Sequence, residues 1–112
     1  MDIMNKQSSA VKFVAKENGQ EVGRAFLYLI SNDLHSEPYG LLEDVFVEET
    51  GRGKGIGKAL VRAVIDEAKK RSCYKLIATS RTSRAEVHAW YERLGFKNYG
   101  LEFRIDFRDA RA

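Results

Sequence analysis

The spacing of the apolar residues changes in the middle of the chain, on either side of a cluster of glycines. Residues 39–47, YGLLEDVFV, are rich in β-branched and aromatic side chains, which predicts a strand. Residues 55–71 place apolar side chains at three- and four-residue steps, which predicts an amphipathic helix. Between them lies EETGRGKGIGK, residues 48–58, with glycine at positions 51, 53, 55 and 57. This strand–loop–helix unit is typical of α/β proteins.

The N-terminal part of the chain has the pattern of a β-hairpin. Two apolar-rich runs, residues 10–17 and 21–30, flank Asn18-Gly19. Asn-Gly tolerates positive φ at both central positions of a tight turn, so it favours a two-residue hairpin.

The C-terminal part predicts three further elements. Residues 74–79 have the composition of a short strand, and Val87, Trp90, Tyr91 and Leu94 mark a second helix that ends at Gly95. Residues 101–107 alternate apolar and charged side chains and predict a last strand. The predicted order is β-β-β-α-β-α-β, a sheet with helices packed on it.

Length and composition place this chain among ordinary globular proteins. Its 112 residues predict one domain, residues 1–112, and the net charge of +3 is too small to indicate nucleic acid by itself. Cys73 is the single cysteine, and no Cys/His cluster has the spacing of a metal site. The chain has no apolar run of membrane-spanning length and no apolar signal core, so we expect a cytoplasmic protein.

The position of the glycines predicts an anion-binding site. A helix N-terminus presents free backbone N–H groups and a partial positive charge, and glycine lets a ligand approach the backbone closely. Arg52, Lys54 and Lys58 add positive charge.

Two common phosphate motifs do not fit this loop. A Walker motif aligned on Gly57-Lys58 has Arg52 in place of its first glycine and Ala59 in place of its hydroxyl residue. The dinucleotide motif Gly-x-Gly-x-x-Gly fails in each of its three registers, which put Ile56, Lys58 or Leu60 at the last glycine.

The pattern that fits is Arg-x-x-Gly-x-Gly, formed by Arg52, Gly55 and Gly57. Preceded by a strand and followed by an amphipathic helix, it resembles the GNAT superfamily of acetyl-CoA-dependent N-acetyltransferases. The resemblance implies a mixed, mostly antiparallel central sheet with flanking helices. It also implies a shortened N-terminus, because only about nine residues precede the hairpin where the family usually has a strand and two helices.

The resemblance implies acetyl-CoA as the cofactor and names two groups of residues that bind it. In the family the loop cradles the pyrophosphate of coenzyme A, and the preceding strand aligns its backbone with the pantetheine arm. The corresponding strand residues are Val45, Phe46 and Val47. The corresponding loop residues are Arg52, Gly53, Lys54, Gly55, Ile56, Gly57 and Lys58.

Two side chains are candidates for catalysis. AWYERLGF, which contains Tyr91, resembles the family motif whose tyrosine protonates the departing thiolate, although Arg84 stands where many members carry Asn. Glu43 and Asp44 are neighbours on a strand and are expected to point to opposite faces. Similar Glu-Asp strands occur in diamine-type acetyltransferases, where the glutamate acts as base, so Glu43 is the candidate base.

The resulting hypothesis is an N-acetyltransferase that acts on a primary amine by direct attack in a ternary complex. Acidic residues around the third strand favour a cationic acceptor, either a small molecule or a lysine or N-terminus of a protein. The alternatives are a coenzyme A-binding module without turnover and a basic domain that binds nucleic acid. No metal is expected, and the short chain with its last strand predicts a homodimer.

Overall fold

The Asn18-Gly19 turn forms as the sequence predicts. In the computed structural model, which describes residues 1–80 and 82–108, φ is 51° at Asn18 and 78° at Gly19. The turn joins β1 (Ser9–Glu17) to β2 (Gln20–Ile30), and the two strands pair antiparallel. Positive φ at both positions matches the twist of a two-residue hairpin, so this prediction is confirmed.

The sheet contains β1, β2, β3 (Tyr39–Val47) and β4 (Leu76–Ala78), in that order. β3 pairs antiparallel with β2, whereas β4 pairs parallel with β3. The expected mixed, mostly antiparallel sheet is therefore confirmed. β4 is shorter than the strand predicted over residues 74–79.

Helix α1 (Ile56–Lys70) contacts β1, β2 and β3 and buries the apolar stripe that predicts it. Leu60, Val61, Val64 and Ala68 are buried on this stripe. Together with Leu27 of β2, Val61 and Val64 are the largest fully buried side chains. Burying a side chain of this size stabilises a fold by about 1.5–3 kcal/mol, so this contact anchors the helix and the loop before it.

The chain divides into two compact units, residues 1–78 and the residues that follow. The single domain expected from chain length stays a prediction. The second unit contains helix α2 (Ala85–Arg93), after which Gly95 adopts φ 106°. Gly95 donates to the carbonyl of Glu92 at 3.0 Å and Phe96 donates to that of Tyr91 at 3.1 Å. These two bonds form a Schellman motif and confirm the predicted glycine stop.

The predicted last strand is wrong. Residues 101–107 form no strand in the described structure, and Phe103 and Phe107 are 89% and 93% exposed. Within this segment Arg104 pairs with Asp106 at 3.3 Å and with Glu102 at 3.8 Å. Alternation supplies one apolar face, but a strand also needs a neighbour that accepts and donates its backbone hydrogen bonds. The observed order is therefore β-β-β-α-β-α.

Candidate active site

The edge of β3 that faces β4 is paired with a strand over only part of its length. β4 pairs with Gly40, Leu41 and Leu42, and β3 then continues for five more residues to Val47. In the part of the chain that the structure describes, no strand pairs with this edge beyond Leu42. Unpaired N–H and C=O groups along such an edge can bind an extended ligand.

A β-bulge interrupts β3 inside this open stretch. Phe26 pairs with Glu43 and Arg24 with Phe46, so Asp44 and Val45 stand opposite the single residue Ala25. Asp44 has φ 55°, a left-handed conformation that Asp tolerates better than most residues. The prediction that Glu43 and Asp44 point to opposite faces requires regular alternation along β3. The bulge interrupts that alternation at Asp44. Glu43 is half-buried, and Asp44 is exposed.

Backbone groups at the end of β3 alternate between β2 and the open edge. Glu48 donates its N–H to the carbonyl of Val22 on β2 at 2.7 Å. Alternation therefore directs the main chain of Val47 toward the open edge, whereas Val45 lies within the bulge. The main chain of Phe46 faces β2, because it lies two residues before Glu48 in the same alternation.

The glycine loop connects this edge to the N-terminus of α1. A single turn of 3-10 helix, Glu49–Gly51, leaves the strand, and Gly53 and Gly55 then adopt φ 79° and 77°. Gly55 precedes the first residue of α1, and no side chain caps the helix N-terminus there. Uncapped N–H groups in the first turn of a helix are available to an anion.

Gly57 lies where the fold would accept a residue with a Cβ. A Cβ at Gly57 would meet only Val47 Cγ2 at 3.6 Å, an ordinary contact, and Gly57 lacks a positive φ. The fold itself therefore has no need of glycine here, although glycine weakens a helix by about 1 kcal/mol relative to alanine. Close approach of a ligand to the backbone would account for a glycine here.

The cations of the loop make different contacts. Arg52 Nε donates to the carbonyl of Val47 at 3.1 Å, and its guanidinium lies 5.9 Å from the ring centre of Phe46. Lys54 Nζ lies 3.1 Å from both carboxylate oxygens of Glu17. Lys58 is in the first turn of α1. Arg52 and Lys58 thus flank the helix N-terminus, whereas Lys54 forms an ion pair with β1.

Arg24 forms a second cationic group beside Phe46. Its guanidinium lies 5.0 Å from the ring centre and forms ion pairs with Glu21 at 2.5 Å and Glu48 at 2.6 Å. The hydrogen bond from Arg24, followed by that from Lys12, holds the pKa of Glu21 below its usual range. The charge of Arg24 is therefore already balanced by two carboxylates.

Glu43 lies on the face of the sheet opposite α1. Gly23 of β2 faces α1, since a Cβ there would lie 2.9 Å from Ile56 Cγ2. Alternation then places Phe26 and Tyr28 on the other face, where their rings stack with centres 6.1 Å apart. Because Glu43 is directly opposite Phe26, its carboxylate shares that face with the two rings.

Tyr91 belongs to the second unit. Its ring lies 5.3 Å from Trp90 and 5.3 Å from Phe96, centre to centre, and its carbonyl takes part in the Schellman motif. Arg84 precedes α2 and lies 3.6 Å from Glu86. The ring contacts with Trp90 and Phe96 hold the Tyr91 ring in place, and its catalytic role stays a prediction.

Three features of the site cannot be recognised from the sequence alone. The bulge depends on the pairing of β3 with β2, and the stacking of Arg24 and Arg52 on Phe46 depends on the same register. Glu17 and Lys54 are 37 residues apart. Each feature depends on non-local contacts, which spacing along the chain does not reveal.

Burial raises the pKa of the Cys73 thiol, and Arg71 lowers it by less, so a nucleophilic thiolate is disfavoured. Within residues 1–80 and 82–108, no three His, Cys, Asp or Glu side chains are grouped to hold a metal ion. None of the described helices is long and apolar enough to cross a membrane.

Comparison with known proteins identifies the family of this chain. Residues 2–96 match the acetyltransferase (GNAT) family. A glucosamine 6-phosphate N-acetyltransferase of Trypanosoma brucei brucei is 32% identical over 84% of this chain and 63% of its own length. A probable glucosamine 6-phosphate N-acetyltransferase of Oryza sativa is 37% identical over 61% of this chain and 39% of its own length.

Solved structures agree with this assignment. A putative acetyltransferase from Agrobacterium tumefaciens superposes with a TM-score of 0.80 at 36% identity, over 87% of this chain and 68% of its own. The glucosamine-6-phosphate N-acetyltransferase of Arabidopsis thaliana superposes with a TM-score of 0.79 at 26% identity, over 88% of this chain and 67% of its own.

The chain therefore belongs to the GNAT acetyltransferase family, as its loop and strand predict. It spans 39% to 63% of the length of the rice and trypanosome relatives.

Proposed function

We propose that this protein transfers an acetyl group from acetyl-CoA to a primary amine, by direct attack in a ternary complex. The observation that carries the proposal is the open edge of β3, which leads through a glycine loop to the uncapped N-terminus of α1. Family membership supports the reaction class and the cofactor.

The described residues suit acetyl-CoA, which when bound would supply an acetyl group activated as a thioester. The N–H groups at the start of α1, with Arg52 and Lys58, would hold its diphosphate. The outward backbone groups of Val47, together with those of Val45 in the bulge, would hold the extended arm. The open space around Gly57 is what allows the backbone to approach the diphosphate closely.

Two side chains supply proton transfer, and a backbone N–H of β3 supplies charge stabilisation. An alkylamine has a pKa of about 10.4, so the acceptor must lose a proton before it attacks. A carboxylate oxygen of Glu43 takes that proton, directly or through water. A backbone N–H of the strand Val45 to Val47 donates a hydrogen bond to the negative charge that develops on the acyl oxygen. Tyr91 Oη holds the proton that the departing thiolate requires.

The charges near Glu43 favour a cationic acceptor without a phosphate. Arg24 is the nearest guanidinium along β2 to the Glu43 position, but Glu21 and Glu48 already bind it. The rings of Phe26 and Tyr28 on the same face suit a cation or an apolar stem, and the ammonium of Lys12 already lies 5.9 Å from the centre of the Phe26 ring. We therefore propose a small cationic amine or a protein amine, whereas several relatives are named for an acceptor that carries phosphate.

Thermal melting with acetyl-CoA tests the cofactor, and thiol release with a panel of amines tests turnover. A ligand at a hundred times its dissociation constant stabilises the folded state by about 2.7 kcal/mol, so a clear rise in Tm is expected. ATP should give a smaller rise. Desulfo-coenzyme A should bind without turnover.

The two measurements separate the alternatives. Binding of acetyl-CoA with no thiol release on any amine would favour a coenzyme A-binding module without turnover. No rise in Tm at saturating acetyl-CoA would refute the proposed function. A cytoplasmic location and a homodimer stay predictions from the sequence.

A further inference from the structure

The ion pair between Glu17 and Lys54 joins the glycine loop to the end of the β-hairpin. Lys54 Nζ lies 3.1 Å from each carboxylate oxygen of Glu17, which is the last residue of β1. Glu17 pairs with Gln20 across the Asn18-Gly19 turn, so the hairpin holds the backbone of Glu17 in place.

The backbone of the glycine loop is least restrained by its own residues on either side of Lys54. Gly53 and Gly55 on either side of it adopt φ 79° and 77°, and a Cβ at either position would meet nothing within 4 Å. Glycine has more conformational freedom than any other residue, so neither of these two restrains the loop. Lys54 is the one residue of the three with a side chain.

We propose that Glu17 is a positioning residue for the glycine loop. Lys54 then holds the loop through this ion pair and does not bind phosphate. The ion pair holds Gly53 and Gly55 in the left-handed conformation that presents the N–H groups of α1 to the diphosphate. This inference rests on the proposed function, because it concerns how the same loop binds acetyl-CoA. It assigns Lys54 a role different from the direct contact that the family resemblance implies.

The charges of the loop support this division of roles. Glu17 forms an ion pair with Lys54, whereas Arg52 donates to the uncharged backbone carbonyl of Val47. The attraction for an anion then comes from Arg52, Lys58 and the helix N-terminus. The two side chains of the pair are 53% and 37% exposed, and an exposed pair of this kind changes an equilibrium constant by about 2- to 5-fold.

A charge-reversal cycle tests the proposal with acetyl-CoA as the probe. The Kd for acetyl-CoA is measured for wild type, Glu17→Gln, Lys54→Gln, the double neutral variant, and the reversed pair Glu17→Lys/Lys54→Glu. Each single variant should weaken binding by about 2- to 5-fold, and the double variant should be no weaker than the singles. The reversed pair restores the bridge, so its Kd should return close to that of wild type.

The Lys6–Asp33 pair provides a matched control. It also has a length of 3.1 Å and joins distant parts of the chain, but it lies outside the glycine loop. Lys6→Gln and Asp33→Asn should leave the Kd unchanged. In the test variants, the Tm without ligand and the kcat at saturating acetyl-CoA should stay near the wild-type values, while the KM for acetyl-CoA rises. A merely structural role for the pair would lower the Tm instead.

The other outcomes contradict either the role of the ion pair or the proposed function. Tighter binding by Glu17→Gln, or a reversed pair weaker than Lys54→Gln, would show that Lys54 binds the cofactor directly. Unchanged binding in all variants would show that the bridge has no role. Failure of the wild-type protein to bind acetyl-CoA would instead refute the proposed function, and the inference with it.

Discussion

Gly57 lies in the first turn of α1, where ligand binding and helix stability favour different residues. We predict that Gly57→Ala leaves the free energy of unfolding unchanged or raises it by up to about 1 kcal/mol, because the added methyl group would make only an ordinary contact with Val47. The same methyl group would stand where the diphosphate approaches, so the affinity for acetyl-CoA should fall at least about 10-fold, or about 1.4 kcal/mol. Thermal melting and titration with acetyl-CoA measure the two effects.

Gly55→Ala is the control for this prediction. Gly55 has φ 77°, and a left-handed conformation costs a residue with a Cβ about 1–2 kcal/mol, so this variant should lose stability. If Gly57→Ala bound acetyl-CoA as tightly as wild type, the glycine loop would not be the diphosphate site.

Glu43 and Asp44 offer a matched pair for identifying the base. We predict that Glu43→Gln lowers kcat by about 10²-fold, because it removes the group that takes the acceptor proton. Asp44→Asn removes the same charge one residue away, and Asn also tolerates the left-handed conformation at φ 55°. Its kcat should stay close to that of wild type. Steady-state kinetics with saturating acetyl-CoA give the comparison, and equal losses in the two variants would argue against Glu43.

Tyr91→Phe removes one hydroxyl group and keeps the ring between Trp90 and Phe96. We predict that kcat falls by about 10²-fold while the Kd for acetyl-CoA and the Tm do not change. Tyr99→Phe is the control, because Tyr99 is 94% exposed. If Tyr91→Phe kept the wild-type kcat, the hydroxyl group would have no catalytic role and the ring would serve only in packing.

At the scale of elements, α1 contributes a pH-dependent contact near its C-terminus. The hydrogen bond from Arg71 holds the pKa of Glu67 below its usual value, so the pair stabilises the folded state above the unfolded pKa of about 4.3. That contribution is lost as the pH falls through the lower folded value. We predict that wild type exceeds Glu67→Gln in Tm at pH 7 and that the difference shrinks toward pH 3. A difference that grew as the pH fell would contradict this assignment.

The strands differ in how far local sequence explains them. The β1–β2 hairpin follows from Asn18-Gly19, because the turn chemistry and the flanking pattern agree. Residues 101–107 alternate just as clearly, yet they form no strand. Alternation predicts which side chains share a face, whereas pairing depends on a neighbour elsewhere in the molecule.

At the scale of the whole molecule, the segment 101–107 exposes a row of apolar side chains. Leu101, Phe103, Ile105 and Phe107 are between 71% and 93% exposed. Exposed apolar surface of this kind favours association, so we predict an average mass that rises above 12.7 kDa with concentration in sedimentation or light scattering. Phe103→Ser should weaken the association more than Arg104→Ser does. A constant monomer mass at all concentrations would leave the predicted homodimer without support.

The sequence alone determined the parts of this protein that depend on neighbouring residues. The Asn-Gly turn, the α1 stripe, the glycine loop and the Gly95 stop each follow from backbone preferences within a few positions. The family pattern Arg-x-x-Gly-x-Gly also involves only neighbouring residues, and it was sufficient to predict the family.

The tertiary structure decided what depends on distant residues. The bulge at Asp44, the open edge of β3, the Glu17–Lys54 bridge and the unpaired segment 101–107 could not be predicted by local pattern. Each of them depends on which strands pair, in what register and over what length. That choice is made by the burial and backbone hydrogen bonding of the whole sheet, which the sequence pattern of a single segment does not contain.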